Sequence, residues 1–389
     1  MKVAVLGYGT VGKGVHDVLL NSKGFEAGPV LVLPKEVSQP FHVTDIKKIA
    51  EDPTVDLVVE CIGGINVAYS FVKACLEGGK HIVTSNKALV SAKGIELANL
   101  ARKNNLGFFF SASCGGAIPF LHNLQLANDF DDVVKVYGIL NGTTNYILTK
   151  MQLEGMAYAD ALAEAQRLGY AEADPSADIS GLDTMRKIQL ACAVAFDQLP
   201  SEGNNMEGID SFRITEVEFL RKKKYQVRLM GQGGRNEDGS VYAYVEPTLF
   251  KDGTVESSIV MNNNLAEYEG IYCGKMSLAG QGAGRYPTAS SILRDVMCIH
   301  EGEREMLLSS CRAVSSNNDT KECVHPYFVS LPEEIFPAFK KLVKGARLLA
   351  KEGDRVYLKT ADISVDKMHD AIDDLRETGH RIFFAAYSK

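Results

Sequence analysis

Over residues 1–116 the apolar positions recur in two alternating rhythms. Short β-branched runs at Lys2 to Leu6, Leu57 to Glu60, His81 to Ser85 and Leu106 to Phe110 predict strands. Amphipathic stretches at Val11 to Ser22, near Ala68 to Leu76 and at Gly94 to Asn104 predict helices between them. Strands separated by crossover helices make an α/β, Rossmann-type doubly wound parallel sheet. From Gly116 the texture changes. A helix at Pro119 to Ala127 and a strand at Val133 to Leu140 precede helical stretches at Ala157 to Leu168 and Gly181 to Phe196. Alternating segments at Tyr225 to Met230, Tyr242 to Pro247 and Val255 to Met261 follow, separated by Asp238-Gly239 and Asp252-Gly253 turns, and they predict antiparallel hairpins. The segment Gly280 to Cys298 starts glycine-rich and becomes helical, and residues 301–389 suggest strand, helix, strands, helix and strand, with helices at Phe336 to Val343 and Met368 to Glu377.

This pattern organises the chain as a nucleotide-binding domain at 1–116 with 280–300 returning to it, an α+β domain at 117–279, and a small α+β module at 301–389. No repeat, low-complexity tract or long linker interrupts it.

Composition narrows the function classes. The chain has 389 residues, 46% apolar and 23% charged, which excludes a disordered or fibrous protein. Its 42 basic against 49 acidic residues give a net charge of −7, which opposes approach to nucleic acid or an anionic membrane. The longest apolar stretches, such as Leu190 to Phe196, fall far short of a bilayer span, and the opening MKVAVLGYG reaches glycine too soon for a signal peptide, so a cytoplasmic protein is expected. Eight scattered cysteines without a C-x-x-C indicate neither a disulfide framework nor a zinc ribbon.

Gly7-Tyr8-Gly9-Thr10-Val11-Gly12 is a G-x-G-x-x-G directly after a predicted strand and at the start of a helix. The glycines permit a tight turn and close approach of backbone N–H groups to a pyrophosphate, whose charge the helix N-terminus favours. A glycine-rich turn without a ligand is the bland alternative; strand, loop and helix in register favour a dinucleotide. Choice between NAD and NADP belongs at the end of the second strand, read as Pro29 to Leu33. There Lys35 suits a 2′-phosphate and Glu36 a free 2′-hydroxyl, so the local signal is divided, with a slight lean to NADP.

Two further segments carry candidate chemistry. His81 to Lys87 is a strand running into a polar tip, which in an open α/β sheet ends at the ligand crevice and puts Lys87 there. On position alone a solvated lysine is the commoner outcome. The segment 169–187 holds several acids before Lys187; Asp183 and Lys187 stand at i and i+4 on one helix face, and the preceding loop can fold Glu172 over them. A surface ion pair at a helix start explains the same residues equally well.

Six segments that fall in order over nearly 300 residues resemble the homoserine dehydrogenases: GYGTVG, TSNKALVS at 84–91, GGAIP at 115–119, GILNGTTNYIL at 138–148, GYAEADPSADISGLDTMRK at 169–187 and GQGAGRYPTASSILRDV at 280–296. The resemblance implies reversible NAD(P)-dependent interconversion of L-homoserine and L-aspartate 4-semialdehyde, a step of threonine and methionine biosynthesis. It implies that Lys187 is the acid/base, that Lys87 lies between cofactor and substrate, and that Glu172 and Asp183 hold the amino alcohol. Besides Gly7, Gly9 and Gly12, it implies cofactor contacts at Thr10 and Val11 and through the backbone of Gly169 and Gly282. The carbonyls of Cys114, Gly116 and Ile118 correspond to a monovalent cation site, for sodium for example, whose usual glutamate is replaced here by Ser111, so weak binding is expected. Relatives form homodimers, which implies at least a dimer here. The last segment resembles a degenerate ACT-type module: Tyr327 to Ile335 has the strand and helix but not the Pro-Gly turn that helps cradle an amino acid effector in relatives.

Hydride addition to a carbonyl develops negative charge on oxygen, which a lysine can stabilise and neutralise, and paired acids suit an ammonium substrate. The competing readings are a non-catalytic NAD(P)-binding amino acid sensor and an oxidoreductase for another small amino acid aldehyde. The joint presence of Lys87, Glu172, Asp183 and Lys187 favours the enzyme.

Overall fold

The computed structural model of the chain describes residues 1–201, 205–304, 306, 314–315 and 318–388. It divides into two compact units. Unit 1 comprises Met1–Val133, Gln189–Leu199 and Ala266–Val314; unit 2 comprises Val134–Ile188, Pro200–Leu265 and Ser315–Lys389. Two of the unit boundaries fall inside helix Leu182–Phe196 and strand Asn263–Gly270.

Unit 1 is built on six parallel strands: β1 (Lys2–Leu6), β2 (Glu26–Leu31), β3 (His42–Val43), β4 (Leu57–Glu60), β5 (His81–Thr84) and β6 (Phe108–Phe109). Their order is β3-β2-β1-β4-β5-β6, that of dinucleotide-binding sheets, with the reversal between β1 and β4. All of β4 is buried, which explains its unbroken apolar run Leu57-Val58-Val59. Strand β2 starts and ends earlier than the expected Pro29 to Leu33. Gly28-Pro29 reads as a turn signal, yet here Gly28 lets β1 come close: a Cβ on it would lie 3.0 Å from the Val3 carbonyl oxygen. Helix Lys87–Lys103 starts well before the expected Gly94, since the Asn86 side chain caps it by accepting from the Leu89 N–H. Helix Arg285–His300 packs on helix Thr10–Leu19 at Gly14, where a Cβ would stand 2.8 Å from Arg285.

In unit 2 the hairpin Tyr225–Arg235 and Val241–Lys251 pairs along its full length around the expected Asp238-Gly239 turn. Strand Val133–Ile139 pairs with its first arm. The third expected strand, Val255 to Met261, is not formed: Thr254 accepts from the Ser257 N–H and starts a short helix, Val255–Ser258. Helix Gly142–Glu154 was not anticipated, because it is buried from Thr143 through Gln152 and shows no amphipathic period.

The end of the chain forms strand Tyr327–Pro332, helix Phe336–Leu342, strands Arg347–Glu352 and Arg355–Lys359, helix Val365–Arg376 and strand Phe383–Tyr387. These four strands stand in the order fourth, first, third, second, all antiparallel to their neighbours. Tyr327, Leu331, Phe339, Leu358, Met368 and Phe384 belong to one core beneath them. The last strand also pairs with the hairpin at Thr248 and Leu249. Of the segment 301–389, residues 305, 307–313, 316–317 and 389 lie outside the described residues. Among the described residues seven cysteines are free thiols, and no helix is long and apolar enough to cross a membrane.

Candidate active site

The glycine loop follows β1 without a break, and each glycine has its own reason. Gly7 has φ +94° and donates its N–H to the Leu31 oxygen at 2.9 Å, with the Cys61 oxygen only 3.0 Å from where a Cβ would be. Gly12 sits so close that a Cβ would fall 2.1 Å from the Gly7 oxygen. Gly9, just before helix Thr10–Leu19, has nothing within 4 Å of its Cβ position. Protein packing therefore explains two glycines, and the third leaves open space at a helix N-terminus, where an anion is favoured.

A cleft of about 360 Å³ adjoins the loop, lined by Tyr8, Lys13, Val32, Glu36, Ser38 and Gln39. Glu36 accepts from the Leu33 N–H at 3.1 Å; it and Lys35 are both exposed, and of the two only Glu36 lines the cleft. Tyr8 is backed by the rings of Phe41, His42 and His16. His16 is stacked on Phe41, and burial lowers its pKa.

At the ends of β4 and β5 a buried carboxylate organises the backbone. Glu60 accepts from the Thr84 hydroxyl at 2.5 Å with one oxygen, and from the Ile62 and Gly63 N–H groups with the other. Thr84 accepts from the Asn86 N–H, and the Asn86 amide donates to the Gly64 oxygen. This ties two crevice loops together and sets the half-buried Lys87 as the first residue of its helix. A cation at a helix N-terminus opposes the macrodipole, so stability alone does not select it.

Segment 115–118 lies backbone-to-backbone against 281–282: a Cβ on Gly116, at φ +57°, would stand 2.4 Å from the Gly282 carbonyl carbon. The Gly116 oxygen accepts from the Ser291 hydroxyl and the Ile118 oxygen from the Phe120 N–H. Ser111 donates its N–H to Asp295 at 2.8 Å, and its hydroxyl faces the Met306 sulfur. Burial pushes the Asp295 carboxyl up to about 7. Among the described residues no group of His, Cys, Asp and Glu is arranged to hold a metal.

Unit 2 holds the second cluster. Helix Leu182–Phe196 carries Asp183 in its first turn and Lys187 one turn later, and the Lys187 ammonium lies 2.7 Å from the Asp183 carboxylate. It is no surface ion pair: both side chains are about nine-tenths buried, at 10% and 8% exposure. Lys187 also donates to the Leu140 oxygen at 2.6 Å. The next residue, Asn141, donates its amide to Asp183 at 2.8 Å and to Asp178 at 2.7 Å. Gly169 follows helix Tyr158–Arg167 at φ +76° with open space at its Cβ position. The Glu172 side chain is exposed, and its backbone oxygen accepts from Gln166.

Asp183 and Lys187 thus come together as their spacing predicts, whereas Glu172 points into solvent on the loop before them. Sequence reasoning passed over Asn141, Asp178 and Glu60. Asn141 had a usable signal, since Asn-Gly-Thr-Thr is a helix N-cap pattern directly after a strand; the partners of Glu60 are set only by strand pairing.

Two family models match the chain: one described as homoserine dehydrogenase, NAD binding domain, over residues 7–111, and one described as homoserine dehydrogenase, over residues 119–297. The chain is similar to the homoserine dehydrogenase of Bacillus subtilis, with 36% identity over 78% of this chain and 74% of that protein. It is also similar to the NAD(+)-dependent homoserine dehydrogenase of Pseudomonas canavaninivorans, at 33% over 74% of this chain and 86% of that one. A crystal structure of a homoserine dehydrogenase from Thiobacillus denitrificans superposes with a TM-score of 0.86, 26% identity and 100% and 98% coverage of the two chains.

Proposed function

The chain belongs to the homoserine dehydrogenase family, and we propose that the residues described above carry out the family's reaction. As a member it is an NAD(P)-dependent oxidoreductase that interconverts L-homoserine and L-aspartate 4-semialdehyde. The observation that carries the assignment of roles is the buried Asp183–Lys187 pair, with Leu140 as second acceptor.

The open space at Gly9 and the helix N-terminus at Thr10 and Val11 fit a dinucleotide pyrophosphate. A nicotinamide dinucleotide bound there supplies hydride for aldehyde reduction and accepts it in the reverse direction. Lys187 gives the proton from Nζ to the oxygen on which charge develops, and takes it back from the alcohol in oxidation. Asp183 and the Leu140 oxygen orient that ammonium. The substrate ammonium is assigned to Asp183 and to Glu172, which is exposed on the loop before the pair. Lys87 contributes a cation at the crevice end of β5. The carbonyls of Cys114, Gly116 and Ile118 offer no carboxylate, and the Gly116 oxygen is already engaged by Ser291, so this donor set does not fit a tightly held cation and no step uses one.

For the cofactor, Glu36 in the cleft lining, where Lys13 is the one cation among the described residues, supports NAD, against the slight lean of the sequence towards NADP. The βαββαβ order of residues 327–387 supports an ACT-like module without the effector turn, so weak or no inhibition by threonine is expected. The edge strand Gly274–Gln281, largely exposed, supports assembly as at least a homodimer, and the free thiols fit a reducing, cytoplasmic setting. One assay tests the reading: oxidation of reduced NAD or NADP, followed by nicotinamide absorbance, with aspartate semialdehyde as substrate. Turnover is expected, faster with NAD; no turnover with either cofactor refutes the enzyme in favour of a sensor.

A further inference from the structure

Lys187, Asp183 and Asp178 are all held from two consecutive residues of another segment, Leu140 and Asn141, at the junction of strand Val133–Ile139 and helix Gly142–Glu154. Leu140 offers its backbone oxygen to Lys187 at 2.6 Å. Asn141 divides its side chain. Its Oδ1 accepts from the Thr144 N–H at 2.8 Å and caps the helix; its Nδ2 donates to Asp183 Oδ2 at 2.8 Å and to Asp178 Oδ1 at 2.7 Å. The orientation of the amide follows from this network, because a flipped group would set NH2 against the Thr144 N–H and a carbonyl against two carboxylates.

The same Asp183 oxygen therefore receives the Lys187 ammonium and the Asn141 amide. An amide donated to a carboxylate draws off part of its negative charge, and an acid left more negative holds a neighbouring ammonium protonated to higher pH. We infer that Asn141 is a positioning residue for the reaction: it fixes the Asp183–Lys187 pair against the helix it caps and tempers the charge that Asp183 presents to Lys187. This rests on Lys187 being the acid/base. A helix cap alone needs only Oδ1, whereas the role proposed here needs Nδ2, and that difference is testable.

Asn141→Ser keeps a residue that caps as well as asparagine but is too short to span both carboxylates. Asn141→Asp keeps the cap and turns the donor into a third carboxylate. Full chains of wild type, both variants and Lys187→Ala are compared for kcat and KM in homoserine oxidation across pH, for reduced-cofactor binding by fluorescence, and for thermal unfolding. Asn141→Ser is expected to unfold at a somewhat lower temperature, because buried Asp183 loses a donor, to bind cofactor unchanged, and to lose kcat by up to about 100-fold, the cost of a small misplacement of a reacting group. Its acid limb moves to higher pH, and that of Asn141→Asp moves further, by about one pH unit. If wild type turns over homoserine, Lys187→Ala does not, and Asn141→Ser keeps the wild-type kcat and pH profile, the positioning role is overturned and the assignment of Lys187 stands. An active Lys187→Ala overturns both.

Discussion

The two glycines that flank the start of helix Thr10–Leu19 separate what the fold needs from what a ligand needs. A methyl group on Gly12 would sit 2.1 Å from the Gly7 oxygen, where ordinary contact begins near 3.4 Å, so loop or helix must yield by the difference, 1.3 Å. Overpacking of this kind costs about 1–3 kcal/mol, and a displacement near 1 Å of the pyrophosphate cradle costs up to about 100-fold in turnover. Gly9 is the opposite case. Its backbone is extended, φ −73°, and nothing lies within 4 Å of the added methyl. Gly9→Ala should change stability by no more than about 1 kcal/mol, chiefly because alanine caps a helix less well than glycine. If a pyrophosphate lies on that backbone, the methyl occupies the space it needs, and affinity should fall at least as far as in Gly12→Ala. The chain has no tryptophan, so the fluorescence of reduced nicotinamide can be titrated without an indole background, alongside thermal unfolding of each variant. The expected pattern is lost binding with retained stability for Gly9→Ala, and loss of both for Gly12→Ala. Wild-type cofactor affinity in Gly9→Ala would refute the argument, because then the open space at Gly9 is not where the ligand approaches.

Lys187→Ala should lower kcat by about 10²- to 10⁴-fold, the share of a positioned proton donor, with cofactor affinity unchanged; steady-state kinetics in both directions check it. Asp295 is neutral in the fold up to about pH 7 and ionises near 3.8 when unfolded, so the folded state binds the extra proton and stability falls as pH rises between those values. Asp295→Asn, which keeps an acceptor for the Ser111 N–H, should therefore gain stability relative to wild type above pH 7 and lose that advantage near pH 4; equal differences in melting temperature at both ends would contradict it. Titrating threonine during turnover should give weak or no inhibition, and saturable inhibition at low concentration would show an effector pocket rebuilt elsewhere, for example around Asp362-Ile363-Ser364. Sedimentation should give a mass above the 42.4 kDa of one chain, and a concentration-independent mass at that value would exclude a dimer.

The sequence by itself determined what is local. Strands β1 and β4 begin and end at the residues their β-branched runs predict, and the glycine loop follows β1 directly, because strand, turn and helix start are all encoded within twelve consecutive residues. The i, i+4 spacing of Asp183 and Lys187 likewise sufficed to put them on one helix face. Other features needed the tertiary structure. Helix Gly142–Glu154 is enclosed on nearly every side, and a helix without a wet face carries no periodic signal. The segment Val255 to Met261 reads as a strand, but the Thr254 cap makes its first four residues a helix. Spacing left a surface ion pair and a buried site equally open for Asp183 and Lys187. Burial decided between them, because only folding brings Leu140 and Asn141 from more than forty residues away to supply the acceptor and the donor that a buried charge pair requires.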